Sequence, residues 1–174
     1  RFCQCKFTGV VFRINPHLSF HHNTTISFQA KRVAPAVDFH DARHVFGVGG
    51  TEKHGITYRL KKIFLEGFRD KAEITEFYLP KDCPNFCVGC TTCFRTEDHK
   101  CKDFEYVQKI EKALLEAELL VFTSPAYVFH ATGAMKTMLD HFGYRWMPHR
   151  PAAEMFGKRA VIITQCLGAG GKST

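Results

Sequence analysis

Long apolar runs are missing from this 174-residue chain. No stretch approaches the 18 or so consecutive apolar residues that a membrane-spanning helix needs. A leader with basic, apolar and small-residue zones is not legible either. The expectation is a cytoplasmic protein with no membrane partner. Acidic residues are in short supply, with 17 Asp+Glu against 24 Lys+Arg, a formal charge of +7. The surplus does not form Lys/Arg runs interleaved with aromatics, so a nucleic-acid footprint is lacking and no such partner is expected. Hydrophobic residues at 45% and charged residues at 24% are those of an ordinary globular protein. A chain of this length buries roughly 68–70% of its unfolded surface and needs no covalent staples.

The positive charge is uneven. Residues 1–43 carry six Lys/Arg against two Asp/Glu, and the remainder carries 18 against 15. The same segment holds four of the ten His and six of the 17 Phe, with no period surviving more than a few residues. Residues 1–43 therefore read as an atypical N-terminal extension, possibly disordered and without an assigned element. Residues 44–174 read as one regular domain.

In that domain, 44–48 is a short apolar strand ending in the turn Gly49-Gly50. Residues 57–68 predict a helix with Tyr58, Leu60, Ile63, Phe64 and Phe68 on one side. An alternating strand follows at 72–79, then a cysteine-dominated loop at 80–102. Asp103 is placed to cap a helix running to about 118, with Val107, Ile110 and Leu114 on its inner face. A fully apolar strand over 119–123 ends at Ser124-Pro125. A helix over 132–142 turns Met135, Met138 and Leu139 inward. Residues 143–157 read as a loop, and 159–165 as another apolar strand. Strands alternating with helices specify an α/β, doubly wound parallel sheet. Ligands of such sheets bind beyond the carboxyl ends of the strands.

Three loops emerge at that edge. The first, 49–57, joins a strand to a helix N-terminus and suits a phosphate. Thr51 and Thr57 offer hydroxyls there, and Lys53 offers charge. A dinucleotide fingerprint would need Gly where Glu52 stands, and a Walker A motif would need Lys where Ile56 stands. A plain strand-to-helix turn is the alternative. The second loop, Ser124-Pro125-Ala126-Tyr127-Val128-Phe129, can present a planar wall, with Tyr127 against a flat ring. The third, 165–174, imitates a P-loop in Gly171-Lys172-Ser173, but Cys166 stands where the first glycine should be. Gln165 and a glycine-rich run can instead line a ring or its side chain.

Cysteine is the one excess. Of eight, five fall between Cys83 and Cys101. A disulfide scaffold would be shorter and exported. Cys87-x2-Cys90-x2-Cys93-x7-Cys101 places four thiols within fifteen residues. Zinc prefers two separated knuckles, so the compact spacing favours an iron–sulfur cluster. Structural zinc and an unmetallated loop stay open. His130, His141 and His149 read as helix-end or loop residues. The segment from Trp146 to Pro151 is either a pocket wall or a subunit contact.

With Gly50-Thr51-x-Lys53-x-Gly55-x-Thr57, the cysteine triplet, Ser124-Pro125-x-Tyr127 and Gly133-x2-Lys136-x2-Leu139-Asp140, the sequence from 44 to 174 resembles the flavodoxin-like NADPH-dependent FMN reductase superfamily. Within it the likeness is to iron–sulfur flavoproteins. The resemblance implies a flavodoxin-like three-layer sandwich, C-terminally truncated, with FMN at the carboxyl edge. It implies Thr51, Lys53 and Thr57 on the phosphate, with Gly55 and Ile56 in the same loop. Ser124, Pro125, Ala126, Tyr127, Val128 and Phe129 would border the isoalloxazine, and Gln165 and Gly168 would flank its other side. It also implies a [4Fe-4S] cluster on Cys87, Cys90, Cys93 and Cys101, an NAD(P)H or ferredoxin donor, an unidentified acceptor, and homodimers or homotetramers. The phosphate loop is one residue shorter than the family's common form. No general base is required, so no catalytic side chain is named. A cluster-free NAD(P)H-dependent FMN or quinone reductase and a non-enzymatic zinc- or flavin-binding module are the alternatives.

Overall fold

The computed structural model describes residues 9–12, 39, 41–50, 55–96, 101–146, 153–155 and 157–165. Its elements are β1 (Gly9–Phe12), β2 (His44–Gly50), α1 (Ile56–Glu66), β3 (Glu73–Leu79), α2 (Thr92–Arg95), α3 (Phe104–Glu116), β4 (Leu119–Pro125), α4 (Gly133–His141), α5 (Gly143–Trp146) and β5 (Arg159–Gln165). A short 3₁₀ turn covers Ala153–Met155. The five strands form one sheet, ordered β1-β5-β4-β2-β3, and every pairing is parallel. This is the α/β, doubly wound arrangement expected from the alternation of strands and helices.

Side chains alternate between the two faces. Phe46, Val48 and Leu120 pack with Val107, Ile110 and Leu114 of α3 and with Met135 and Met138 of α4. Val45, Leu119, Val121, Val161 and Ile163 pack against Leu60 and Leu65 of α1 and the following Phe68. Strands buried on both faces need no polar residue in their middle, which is why β2 and β4 read as unbroken apolar runs. Strand β5, between β1 and β4, departs from that expectation: Ile162, on the α3/α4 face, is 45% exposed.

Several local readings are corrected. Gly49-Gly50 is not a turn but the end of β2, paired with Tyr78 and Leu79. A Cβ on Gly49 would stand 2.0 Å from Thr123 Oγ1, whose hydroxyl donates to the Val48 carbonyl at 2.8 Å. The missing side chain thus lets two central strands pair around a threonine. Ser124-Pro125 likewise belongs to β4, in register with Thr164-Gln165. In α1, Ile63 is 48% exposed, and the inward position next to Leu60 is taken by Lys61. The Lys61 ammonium pairs with Glu76 at 3.0 Å and lies 4.2 Å from the centre of the Tyr78 ring. The 143–157 loop contains α5 and the 3₁₀ turn, and the cysteine loop contains α2. Within residues 1–43, Gly9–Phe12 adds a strand to the outer edge of β5, with Gly9 opposite Ala160 and Phe12 opposite Ile163. An unpaired edge presents a row of backbone donors and acceptors, and this segment satisfies them.

Candidate functional site at the carboxyl edge

The parallel topology delivers the C-terminal ends of β2, β4 and β5 to one edge. From β2 the chain leads into α1, whose N-cap is Gly55. Among the described residues, no side chain caps this end, and the first turn carries no acid. An eleven-residue helix therefore directs the N–H groups of its first turn and its positive dipole end at the edge, a setting that favours an anion. Thr57 is half-buried and Ile56 exposed in that turn. Thr51 and Lys53 lie outside the described residues.

After β4 the chain makes a two-residue hairpin. The Tyr127 N–H donates to His130 O at 2.8 Å, and the His130 N–H donates to Tyr127 O at 3.0 Å. Its central residues, Val128 and Phe129, sit at φ of 50° and 63°. Such turns ordinarily use Asn or Gly, and a β-branched residue there is strained. The turn nevertheless holds Val128 91% exposed, with Tyr127 and Phe129 also at the surface. Strain retained for the sake of an exposed apolar tip marks a segment shaped for contact rather than for the core.

The hairpin is anchored from both sides. Ser124 Oγ accepts from the Thr132 N–H at 3.0 Å and donates to the Pro125 carbonyl at 3.0 Å. Thr132 in turn caps α4, its hydroxyl oxygen accepting from the Met135 N–H at 3.2 Å. The Ala126 N–H donates to the Gln165 carbonyl at 2.9 Å, so the end of β5 lies beside the start of the hairpin. Of the predicted residues, the structure thus brings Ser124 through Phe129 together with Gln165. It gives Ser124 a buried, fully engaged role that positions the loop. Gly168 lies outside the described residues, as does His149; His130 closes the hairpin.

The cysteine loop follows β3. Its start is fixed by Asp82, whose carboxylate accepts from the Tyr78 N–H at 2.6 Å. Gly89 and Thr91 both adopt left-handed φ, of 65° and 58°. Arg95 ties the loop to itself, donating to Thr91 Oγ1 at 2.9 Å and to the Cys90 carbonyl at 3.0 Å. Phe94 meets Tyr144 of α5 edge-on at 6.4 Å, and α5 is held by the Arg145–Glu111 ion pair at 2.6 Å. Cys87 and Cys90 are exposed, while Cys93 and Cys101 are half-buried.

The thiols feel one another. Burial raises Cys93, followed by the charges of Cys101, Cys87 and Cys90. Burial also raises Cys101; the Asp103 N–H, 3.5 Å away, opposes it, and the charges of Asp103, Cys90 and Cys87 add to it. Cys83 is pushed up to about 11 by burial, then by Asp103 and Cys101. Cys90 moves the other way, because the Thr92 hydroxyl, 3.4 Å away, and the Thr92 N–H stabilise its thiolate. Mutual repulsion of this kind is relieved when a cation collects the thiolates.

Three residues that the sequence did not single out as a site gather beside Cys101. His141, read as a helix-end residue, is 2% exposed, with Nδ1 3.5 Å from Cys101 Sγ and Nε2 2.9 Å from the Asn85 carbonyl. Asp103 occupies the α3 N-cap position but makes no side-chain cap bond. Its carboxylate accepts instead from Asn85 Nδ2 at 3.0 Å. The legible signal was His141 itself, two turns on from Met135 and three residues after Met138, on the buried face of α4.

A family model described as NADPH-dependent FMN reductase matches residues 44–174. An iron-sulfur flavoprotein of Archaeoglobus fulgidus is 26% identical over 130 residues, covering 71% of this chain and 54% of that protein. One from Methanocaldococcus jannaschii is 30% identical over 98 residues, covering 55% and 50%. The chain therefore spans about half the length of these relatives. Among solved structures, an azoreductase from Bacillus anthracis str. Sterne superposes with a TM-score of 0.56 at 16% identity, over 75% of this chain and 74% of its own, a likeness of fold. Among the described residues, no helix is long and apolar enough to cross a membrane. With three-quarters of its length matched by the family model and the family's fold in place, the chain belongs to the NADPH-dependent FMN reductase family.

Proposed function

We propose that the chain is the flavin-binding part of an FMN-dependent oxidoreductase that also carries a four-iron cluster on Cys87, Cys90, Cys93 and Cys101. The observation that carries the flavin reading is the convergence, at one sheet edge, of an uncapped and acid-free helix N-terminus with the strained hairpin after β4 and the end of β5. The donor set fits FMN: N–H groups and the Thr57 hydroxyl for a phosphate monoester, and an apolar loop of Tyr127, Val128 and Phe129 for a planar ring. When bound, FMN supplies two-electron uptake from a nicotinamide and one-electron exchange with a ferredoxin or a cluster. The chain's own contribution is positional. The α1 N-terminus orients the anion, Ser124 and Thr132 fix the ring-side loop, and the Gln165 carbonyl holds that loop to β5.

The cluster reading rests on the grouping of the four thiols. Their spacing, Cys87-x2-Cys90-x2-Cys93-x7-Cys101, is compact, and the charges of the other thiols act on both Cys93 and Cys101. The name of the Archaeoglobus fulgidus relative supports the same reading. Exposed Phe86 and Val88 on the loop support assembly as a homodimer or homotetramer.

Thr57→Glu places a carboxylate at the anion end of α1. It is expected to weaken FMN binding at least tenfold, and unchanged affinity by fluorescence titration would refute the phosphate assignment. Cys90→Ser is expected to remove iron and acid-labile sulfide after anaerobic reconstitution while leaving FMN bound. Full iron content in that variant would refute the ligand set.

A further inference from the structure

We propose that Cys101, Asp103 and His141 form a site for a single divalent transition-metal ion of the zinc class, occupied in chains whose cysteine loop carries no cluster. One ligand atom from each lies within 4.8 Å of the other two. A tetrahedral ion sits about 2.3 Å from sulfur and about 2.0–2.1 Å from imidazole nitrogen, which places those two atoms roughly 3.5 Å apart. Cys101 Sγ and His141 Nδ1 are 3.5 Å apart.

The tautomer of His141 is selected by Asn85. Its backbone carbonyl can only accept, so Nε2 of His141 carries a hydrogen, at 2.9 Å, and the tautomer of the ring that this bond selects has its lone pair on Nδ1. That lone pair faces a thiol sulfur and a carboxylate. The side-chain amide of the same Asn85 donates to Asp103 Oδ1 at 3.0 Å. One residue thus orients two of the three ligands, the kind of outer support that metal-binding histidines and carboxylates ordinarily receive.

Burial adds to the case. His141 and Asp103 are both buried, where solvent screens a cation's attraction to its ligands little. The Tyr106 ring packs edge-on against His141 at 6.0 Å. A thiolate, an imidazole and a carboxylate suit Zn²⁺, Co²⁺ or Fe²⁺ rather than the oxygen-seeking Mg²⁺ or Ca²⁺. The site does not depend on the flavin reading and shares only Cys101 with the cluster, so the two metal occupancies exclude each other.

Cobalt(II) alone is the probe, added anaerobically to the iron-free full chain carrying Cys87→Ser and Cys90→Ser. Both replaced residues are exposed, so the fold is expected to persist. The expected result is one equivalent bound, with a near-ultraviolet thiolate-to-cobalt band, tetrahedral visible bands and displacement by zinc. Adding Asp103→Asn, which preserves side-chain shape, should weaken binding at least tenfold, as should His141→Gln, with circular dichroism confirming the fold. Absence of the one-equivalent spectrum, or affinity unchanged in folded Asp103→Asn, would overturn the proposal. Parallel iron and sulfide assays on the reconstituted parent chain separate the two claims. A cluster without a cobalt site overturns this proposal alone, and a cobalt site without a cluster overturns the cluster reading alone.

Discussion

Replacing Ser124 with alanine isolates the link between the end of β4 and the start of α4. The hydroxyl oxygen accepts from the Thr132 N–H and the hydroxyl donates to the Pro125 carbonyl, both at 3.0 Å. Alanine removes both bonds and leaves no group at that position to replace them. A buried amide left without an acceptor costs about 1–3 kcal/mol. Taking about 2 kcal/mol, and the roughly 2–4 °C per kcal/mol of a domain this size, Tm should fall by about 4–8 °C. The loss should be local in its origin, because Thr132 also caps α4 through Met135. Thr132→Ala should cost about 1 kcal/mol on its own. The double variant should fall short of the sum, since the two side chains serve one junction. Thermal denaturation followed by circular dichroism measures all three. A Ser124→Ala change below about 0.5 kcal/mol, or strict additivity with Thr132→Ala, would refute the assignment of Ser124 as the hairpin's anchor.

Two further substitutions probe the scaffold. Gly49→Ala forces a Cβ to within 2.0 Å of the buried Thr123 hydroxyl, so it should destabilise by about 1–3 kcal/mol in urea unfolding, and a neutral outcome would contradict the close strand approach. Glu76→Gln leaves the buried Lys61 ammonium without its counter-charge and should cost about 3 kcal/mol at pH 7. The pH dependence has a definite sign. Burial alone would raise the Glu76 carboxyl, but hydrogen bonds from Lys62 and Lys61 and the Lys61 charge hold it below its usual range. Its contribution is therefore present above the ordinary carboxylate pKa of about 4.5 and lost as pH falls through the lower folded value. The Gln variant should lose that part of the acid limb, and an identical acid profile would contradict the pairing.

Strands β2, β4 and β5 were legible as apolar runs and β3 by the alternation of its side chains. For β5 even the limits, Arg159 and Gln165, follow from the sequence alone. What was not legible depended on partners distant in the chain. Lys61 looks like a surface residue in any local window, yet it is buried because Glu76 and Tyr78, on β3, receive its charge. Gly49 reads as a turn until Thr123, seventy-four residues away, is seen to need the space. Strand β1 is too short to show a period and is defined by the edge it covers.

The candidate site divides the same way. The loops after β2 and β4 were found by their glycine, proline and aromatic content, and the cysteines by their spacing. Ser124 lies at the start of that loop, where its hydroxyl is engaged by Thr132 and Pro125. His141 was read only as a helix-end residue, and Asn85 was not named, because their pairing exists only where α4 passes the cysteine loop, a contact spanning 56 residues.

The most direct test of the central claim is titration of FMN with the purified, flavin-stripped chain, followed by quenching of flavin fluorescence. Saturable one-to-one binding is expected, weakened at least tenfold by Thr57→Glu. Flavin fluorescence that stays unchanged at a large excess of folded protein would contradict it.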